Sequence, residues 1–261
     1  MLKNKYLKIT TVSLLISITL IHVNIFAQQT NYIQKGEVKY EVKINNHKNL
    51  LTDRDDNNPE GNMWVNSMLE YMPKFSTYTY SFKFADNKSM YKYESKVETS
   101  KKMWNEETIE DDVWFADYEA RKYTNQKNIF GEIYKLEDSL INLKWKIIPN
   151  DNREIIGFNC KKAQTILYDS VYIFAYYTDV ITIPGGPMSL QGLPGLILGI
   201  TIPRLNTSCV AISYNPLVNA STIIAAKNGK VKPVKELQLK IKDATKQWGS
   251  YGQKAIWQGF L

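Results

Sequence analysis

The sequence predicts a mainly β (α+β) protein, with one large curved antiparallel sheet, one or two short helices, and a C-terminal helix or tail. Apolar and polar residues alternate strictly over several short stretches, which is the pattern of half-buried strands. Turn-forming residues separate these stretches, and short connections favour antiparallel pairing. The 17 Tyr and an aromatic content of 12% also suit a β-rich protein.

The first strand is predicted over Gly36–Ile44, which alternates apolar residues (Val38, Tyr40, Val42, Ile44) with charged ones. A β-hairpin follows, in which an aromatic strand (Tyr78, Tyr80, Phe82, Phe84) turns at Asn87-Lys88 and returns over Ser89–Val97. Between these elements the residues from Asn62 to Met72 predict a short helix, because Met63, Trp64, Met68 and Leu69 would lie on one side of it. Pro73 would end this helix.

Further strands are predicted over residues 113–118, 121–127, 128–136, 141–147, 155–167, 171–178, 209–214 and 221–226. The residues Pro149–Asn152 predict a turn. In the stretch Pro233–Trp248, the spacing of Leu237, Leu239 and Ile241 suggests a strand. The spacing of Val234, Leu237, Ile241, Ala244 and Trp248 suits a helix, so both alternatives stay open. Residues 249–261 are predicted to be a loosely held C-terminal tail.

Residues 1–27 have the pattern of a signal peptide. Three lysines precede an apolar run that polar residues interrupt, and Ala27 is a suitable cleavage position before Gln28. The alternative is an uncleaved membrane anchor, but the run is short and polar-broken for a span of about 20 residues. We therefore expect an exported protein, periplasmic or extracellular, with one β-rich domain over residues 28–248 and no transmembrane span after cleavage.

The charge balance gives little indication of a partner. The whole chain carries +7, and removing the three lysines of residues 1–27 leaves +4. Nucleic-acid binders usually show a clustered basic face, so we expect no nucleic acid. An acidic stretch (Glu106, Glu107, Glu110, Asp111, Asp112) is read as a solvated loop.

A Gly- and Pro-rich segment, Ile181–Leu198, is the centre of the predicted fold, and we call it the Gly/Pro segment. Its first turn signal includes Gly186 and Pro187. Its second is Leu193-Pro194-Gly195, where Pro followed by Gly favours a type II turn. The apolar run from Leu196 to Ile202 then predicts a buried strand. Without a Lys or Arg, this segment lacks the usual features of an anion site, so we expect it to act through folding.

Gly192-Leu193-Pro194-Gly195-Leu196-Ile197 is the hexapeptide that names the GLPGLI family of secreted bacterial proteins, which the chain resembles from about Gly36 to about Ser213. Other stretches that look like family positions include Trp114–Asp117, Ile156–Ala163 and Tyr176–Thr178. The resemblance implies export and a β-rich fold. It supplies no catalytic residue, since the family has no assigned activity.

Few catalytic arrangements are available to this composition. After removal of residues 1–27, His47 is the only histidine, which excludes a multi-His metal site and disfavours a His-dependent triad. Asp53, Asp55 and Asn57 match the first ligands of a calcium loop, but Asn58 stands where the loop needs Gly. We expect no metal and no cofactor. In an exported chain, Cys160 and Cys209 predict a disulfide, with two buried thiols as the alternative.

Two functions remain open on the sequence alone. The first is a non-enzymatic envelope protein that binds an apolar small molecule or an envelope partner protein in the hollow of its sheet. The second is a secreted hydrolase that uses carboxylates from Asp117, Asp179 or the acidic stretch. A pair of carboxylates in a cleft would favour the hydrolase, and an aromatic-lined hollow without such a pair would favour the binding protein.

Overall fold

In the part of the chain that the structure describes, twelve strands form one open sheet, which confirms the prediction of a mainly β fold. The computed structural model describes residues 32–52, 54, 57–97, 111–168, 170–248, 253–254 and 256–257. The strands are β1 Gly36–Asn45, β2 Phe75–Ala85, β3 Lys88–Lys96, β4 Val113–Asp117, β5 Lys122–Ile129, β6 Glu132–Ser139, β7 Lys146–Ile155, β8 Phe158–Leu167, β9 Val171–Thr178, β10 Leu196–Ile202, β11 Thr207–Asn215 and β12 Lys230–Val231. Their order is β12-β6-β5-β4-β3-β2-β1-β11-β10-β9-β8-β7. Among the twelve strands of the described residues, β12 alone pairs in parallel, with β6.

Three α-helices accompany the sheet in the described part of the chain: α1 Asn46–Thr52, α2 Pro59–Tyr71 and α3 Val234–Ala244. The predicted short helix is α2, which begins after Asn58, whose side chain accepts a hydrogen bond from the Gly61 amide at 2.9 Å. It ends before Pro73, as predicted. The helix α3 resolves the alternatives left open for Pro233–Trp248. The sequence analysis did not predict α1.

The sheet is curved in its second half. The rings of Phe158 on β8 and Tyr214 on β11 lie 5.8 Å apart. In a flat sheet these strands would be separated by three spacings, about 14 Å. The sheet therefore bends, and the predicted curvature is present.

Three of the predicted local structures are wrong. Residues 141–145 form no strand, and β7 begins at Lys146. The predicted turn Pro149–Asn152 lies inside β7, where the register against β8 shifts between Ile148 and Asn152. Residues 221–226 contain part of the 3₁₀ turn Ala220–Thr222 instead of a strand. Residues 141–145 alternate apolar and polar residues, but none of them is buried, so the alternation has no buried face to pack.

Two clusters of buried side chains make the core. The main cluster is formed by side chains of β1–β4, of β7–β11 and of the Gly/Pro segment, and includes Val38, Phe82, Leu196 and Ile200. The second packs α3 against β5 and β6, through Ile129, Tyr134, Leu136, Leu237 and Ile241. Trp257 is 4% exposed and belongs to the main cluster, so the prediction of a loose tail over 249–261 does not extend to this residue.

One exposed carboxylate ties α3 and β12 to the edge of the sheet. Glu132 on β6 accepts hydrogen bonds from the Tyr134 hydroxyl, from Lys230 on β12 at 2.9 Å, and from Lys240 on α3 at 3.1 Å. These partners, Tyr134 first, lower the pKa of Glu132 from 4.5 to about 2. The carboxylate is therefore charged over nearly the whole pH range.

The Gly/Pro segment crosses the main core and is fixed by backbone hydrogen bonds. The Leu196 amide donates to the Ile181 carbonyl at 2.9 Å, and the Ile197 amide donates to the Gly185 carbonyl at 2.9 Å. The predicted type II turn is wrong, because the Gly195 amide donates to Leu193 two residues back, at 2.8 Å. The chain thus makes a three-residue γ-turn.

The predicted role of this segment in packing is supported. Leu196 and Ile197 are both fully buried, one on each face of β10. Gly195 has φ +141°, and a Cβ built there would lie 2.0 Å from the Thr178 carbonyl oxygen. The fully buried Tyr40 hydroxyl donates to the Ile197 carbonyl at 2.7 Å, at the point where the register of β10 against β9 shifts.

The predicted Cys160–Cys209 disulfide is absent, because both residues are free, buried thiols. Cys160 lies on β8 and Cys209 on β11, and two strands, β9 and β10, lie between them in the sheet order. The Cys160 thiol donates to the Phe158 carbonyl of its own strand at 3.4 Å. Burial raises the pKa of Cys160 to about 11 and also raises that of Cys209.

Several predictions concern residues outside the described ones. These are the signal peptide over residues 1–27, Asp53 and Asp55 of the calcium-like loop, and Glu106, Glu107 and Glu110 of the acidic stretch. Among the described residues, no helix has the length and hydropathy needed to cross a membrane.

Candidate functional site

A continuous row of side chains crosses five neighbouring strands on one face of the sheet. The register pairs Phe82 on β2 with Tyr91 on β3, Tyr91 with Trp114 on β4, Trp114 with Asn125 on β5, and Asn125 with Leu136 on β6. All five side chains are at most 9% exposed. Since directly paired residues point to the same face of a sheet, this row forms a continuous, mainly aromatic wall.

This wall is the floor of a cavity of about 140 Å³. The Gly/Pro segment passes over it through Gly186, Ser189, Leu190 and Gln191, and α3 closes one side through Val234 and Gln238. The remaining lining residues are Ser89, Phe115, Ala116, Tyr118, Tyr123, Lys127, Leu140, Ile141 and Tyr168. The predicted aromatic hollow is therefore present between the first half of the sheet and the Gly/Pro segment.

One residue that lines the cavity, Lys127, belongs to a buried ion pair with Asp112, which does not line it. Lys127, 4% exposed, donates to the Asp112 carboxylate at 2.9 Å, and its Nζ lies 3.6 Å from the centre of the Trp114 ring. Asp112 also accepts a hydrogen bond from the Asn128 amide at 3.0 Å. Burial lowers the pKa of Lys127 and raises that of Asp112, while the attraction between the two opposes both shifts. The pair adds no net charge to the cavity wall.

Tyr118 links the floor of the cavity to the Gly/Pro segment. Its hydroxyl lies 3.0 Å from the Ser89 hydroxyl, and burial raises the pKa of Tyr118 to about 12. The phenol is therefore neutral at physiological pH. A Cβ built at Gly185 would lie 2.1 Å from the Tyr118 oxygen, so the glycine lets the segment come this close to the floor.

Three side-chain hydrogen bonds fix residues 188–191 of the Gly/Pro segment, which form the roof of the cavity. Trp145 donates from Nε1 to the Gln191 carbonyl at 2.8 Å, and Gln191 donates to the Ile141 carbonyl at 3.3 Å. Asn125 on the floor donates to the Ser189 hydroxyl at 3.4 Å. Met188 and Ser189 both have positive φ, at 56° and 57°, a conformation that is uncommon for residues other than glycine. The roof is therefore a strained turn over the cavity.

The described carboxylates among those proposed from the sequence, Asp111, Asp112, Asp117 and Asp179, do not line this cavity. Asp117 lies 3.7 Å from Lys88, Asp179 lies 2.5 Å from Lys161, and Asp112 is paired with Lys127. None of the three lines the cavity. His47 lies elsewhere, with Nε2 3.0 Å from the Met72 carbonyl. In the described part of the chain, no group of three or more His, Cys, Asp or Glu could hold a metal ion.

Sequence reasoning missed the two polar residues of the floor, Asn125 and Lys127. Both lie on the buried face of β5, between Tyr123 and Ile129 in steps of two. This alternation was the available signal, because a polar residue at an inward-facing strand position is unusual. The sequence analysis also limited the Gly/Pro segment to a role in folding, whereas the segment lines the cavity as well.

Residues 84–243, more than half of the chain, match the family model described as "N-glycanase peptide, N-terminal domain". The chain belongs to this family. The matched stretch of the N-glycanase N-terminal domain contains every residue that lines the cavity except Phe82. A search of curated proteins finds no match.

Solved structures give more distant comparisons. The structure of PNGF-II in the P21 space group is 17% identical with a TM-score of 0.49, and covers 78% of this chain and 32% of its own. The C2 form is 16% identical with a TM-score of 0.47, and covers 87% and 33%. An uncharacterized conserved protein from Thermus thermophilus is 4% identical with a TM-score of 0.38, and covers 78% and 93%. The chain thus spans about a third of the length of PNGF-II.

Proposed function

We propose that this protein is an exported, non-enzymatic binding protein that holds a small, largely apolar ligand in the cavity between its sheet and the Gly/Pro segment. The observation that carries the proposal is the aromatic row Phe82, Tyr91 and Trp114, which provides an apolar wall inside a cavity of about 140 Å³. Ligand sites in proteins are usually concave, mainly apolar, and supplied with a few polar groups.

The size of the cavity limits the ligand to about one ring. An engineered protein cavity of roughly 150 Å³ binds benzene, which makes a single-ring compound a suitable probe. We choose α-methylstyrene, a planar, uncharged ring compound, and follow its binding by isothermal titration calorimetry. The unmodified protein is expected to bind it with saturation at one site.

A cavity-filling variant tests whether binding occurs in this place. Ala116 lines the cavity, so Ala116→Phe should occupy it and abolish binding. The matched control is Ala120→Phe, which adds the same side chain at an exposed position outside the cavity and should bind as the unmodified protein does. Melting curves of both variants check folding. Absence of binding to the unmodified protein, or undiminished binding to folded Ala116→Phe, would overturn the proposal.

The family match gives a second candidate, a hydrolase acting on N-linked glycans, since the family is described by an N-glycanase. Among the described residues, Asp112, Asp117 and Asp179 each pair with a different lysine and none lines the cavity, so the cavity lacks the carboxylate pair on which the hydrolase reading of the sequence depended. Incubation with an N-glycosylated peptide and mass spectrometry of the products separates the two candidates. We expect no released glycan, and release by the pure protein would favour the hydrolase.

We further propose that the chain is exported as a GLPGLI-type protein. The support is the hexapeptide Gly192–Ile197, together with the charged, apolar and small residues of 1–27. N-terminal sequencing of the exported protein is expected to begin at Gln28. A start at Met1 in a membrane fraction would contradict this.

A further inference from the structure

Asn125 brings an amide group to the floor of the cavity. Its direct partners in the register are Trp114 on one side and Leu136 on the other, and all three residues line the cavity. Only 9% of Asn125 is exposed. Directly paired residues on one face of a sheet have Cβ atoms about 4.5–5.5 Å apart, so the amide lies beside the Trp114 side chain.

The nitrogen of this amide has a partner, and the oxygen has none among the described residues. Nδ2 donates to the Ser189 hydroxyl at 3.4 Å, and Ser189 also lines the cavity. Oδ1 accepts no hydrogen bond from the described residues, and it is not one of their unbonded side-chain atoms that are closed off from solvent. Because Asn125 points inward and lines the cavity, the accessible surface of Oδ1 faces the cavity. A few polar groups placed in this way fix the orientation of a ligand in an apolar site.

The amide lies towards the mouth of the cavity. Three of the lining residues are exposed, Ile141, Tyr168 and Ser189, and they mark this mouth. Asn125 is bonded to Ser189, whereas Phe82 at the other end of the floor is only 1% exposed. A ligand can therefore place a ring against the aromatic wall and direct a polar group outward to Asn125.

The charges at the cavity favour an uncharged hydrogen-bond donor. Among the described residues that line it, Lys127 is the one cation, and there is no carboxylate. Lys127 is paired with Asp112, and its Nζ already lies 3.6 Å from the centre of the Trp114 ring. A ligand ammonium group would lose its hydration there and gain no counter-charge. A hydroxyl or a neutral N–H avoids this penalty.

We propose that the cavity binds an uncharged compound with one planar ring and a hydroxyl or N–H group, and that this group donates a hydrogen bond to Asn125 Oδ1. The inference rests on the proposed function, because it requires a ligand in the cavity. The ring lies against the aromatic wall, and the donor at its edge reaches the neighbouring amide.

Two ligands of nearly the same shape test the hydrogen bond. Phenol carries a hydroxyl where toluene carries a methyl group. The ratio of their dissociation constants is measured by calorimetry for the unmodified protein and for Asn125→Leu, which keeps the size of the side chain and removes the acceptor. Because both proteins are titrated with the same two compounds, differences in the hydration of the compounds cancel. We expect the preference for phenol to fall about three- to tenfold in Asn125→Leu.

The control variant is Asn159→Leu, at an exposed position of β8 outside the cavity, which should leave the ratio unchanged. Benzyl alcohol and benzylamine, which is protonated at neutral pH, test the charge argument, and the amine should bind more weakly. If Asn125→Leu does not fold, the ¹³C resonance of the Asn125 amide carbon in the unmodified protein replaces it. This resonance should move downfield with phenol and not with toluene.

The outcomes separate this inference from the proposed function. If phenol and toluene bind but their ratio is the same in Asn125→Leu, or benzylamine binds more tightly than benzyl alcohol, the inference is wrong and the proposed function stands. Failure of the unmodified protein to bind any of these ring compounds overturns both.

Discussion

Gly195 has no room for a side chain. Its positive φ and the 2.0 Å distance from a built Cβ to the Thr178 carbonyl oxygen are two separate obstacles to substitution. The neighbouring backbone belongs to the end of β9, which cannot move without disturbing its pairing with β10. The conformation and the close approach together explain why glycine stands at the end of the turn.

We predict that Gly195→Ala lowers stability more than the positive φ alone requires. The matched control is Gly157→Ala, where φ is +83° but no atom lies within 4 Å of a built Cβ. The control should cost about 1–2 kcal/mol. Gly195→Ala should cost more, and each kcal/mol lowers the melting temperature by about 2–4 °C in a chain of this size. Equal melting temperatures for the two variants would contradict the clash.

Tyr40 stabilises β10, the strand that begins directly after Gly195. Its hydroxyl satisfies the Ile197 carbonyl where the ladder between β9 and β10 is interrupted. We predict that Tyr40→Phe costs about 1–3 kcal/mol in chemical denaturation, since the carbonyl is then buried without a partner. The exposed Tyr71 provides a control, and Tyr71→Phe should change stability by less than about 0.5 kcal/mol. A loss no larger in Tyr40→Phe than in the control would refute the assigned role.

At the scale of elements, the exposed carboxylate of Glu132 adds to the apolar packing that attaches α3 to β6. The pKa of Glu132 is about 2 in the folded protein and 4.5 in the free group, so the folded state favours the charged form. Its contribution to stability is fully present above about pH 4.5. It is lost as the pH falls from there towards 2.

We predict that Glu132→Gln loosens α3 above pH 4.5 and that the difference from the unmodified protein shrinks between pH 4.5 and 2. Hydrogen exchange of the amides of α3, measured across this range, reports the change. Glu236→Gln removes the same charge from α3 without touching β6, and controls for net charge. A difference between Glu132→Gln and the unmodified protein that is independent of pH would contradict the assignment.

Alternation in the sequence predicted the elements that have one buried and one solvated face. The strands β1 and β2 belong to this class, and the inward residues predicted for them are buried or half-buried. The strand β10 was predicted instead from its continuous apolar run, and it is buried on both faces. The helix α1 was missed, because its seven residues bury only Asn46 and Leu50 and leave no periodic stripe to detect. The false strand at 141–145 shows the opposite case, in which alternating residues form no strand.

At the scale of the whole molecule, the cavity could be predicted only in outline. The aromatic alternation in β2 and β3 indicated an apolar hollow, but its position depends on the register of five strands and on a segment that lies far along the chain from them. The alternation of neighbouring residues in the sequence reveals neither the register of the strands nor the place where a distant segment packs. The same limitation explains the wrong disulfide, since the pairing of Cys160 and Cys209 was inferred without knowing that β9 and β10 lie between their strands.

We predict that both cysteines are free thiols that react only after unfolding. Their burial and raised pKa values disfavour the thiolate, which is the reactive form. A thiol reagent should therefore label neither cysteine in the native protein and both in denaturant, without any reductant. The melting temperature should not depend on added reductant. Cysteines that stay unlabelled in denaturant until a reductant is added would instead show that the two residues form a disulfide.

The two ends of the open sheet have a consequence for self-association. An exposed edge strand is a template on which a second molecule can add its own strand. At one end, β12 has only two residues, Lys230 and Val231. At the other, β7 contains Pro149, a register shift after Ile148, and a positive φ of 59° at Asn150. A neighbouring molecule thus meets no long regular edge, and a sheet of this breadth can end at both sides without nucleating fibres.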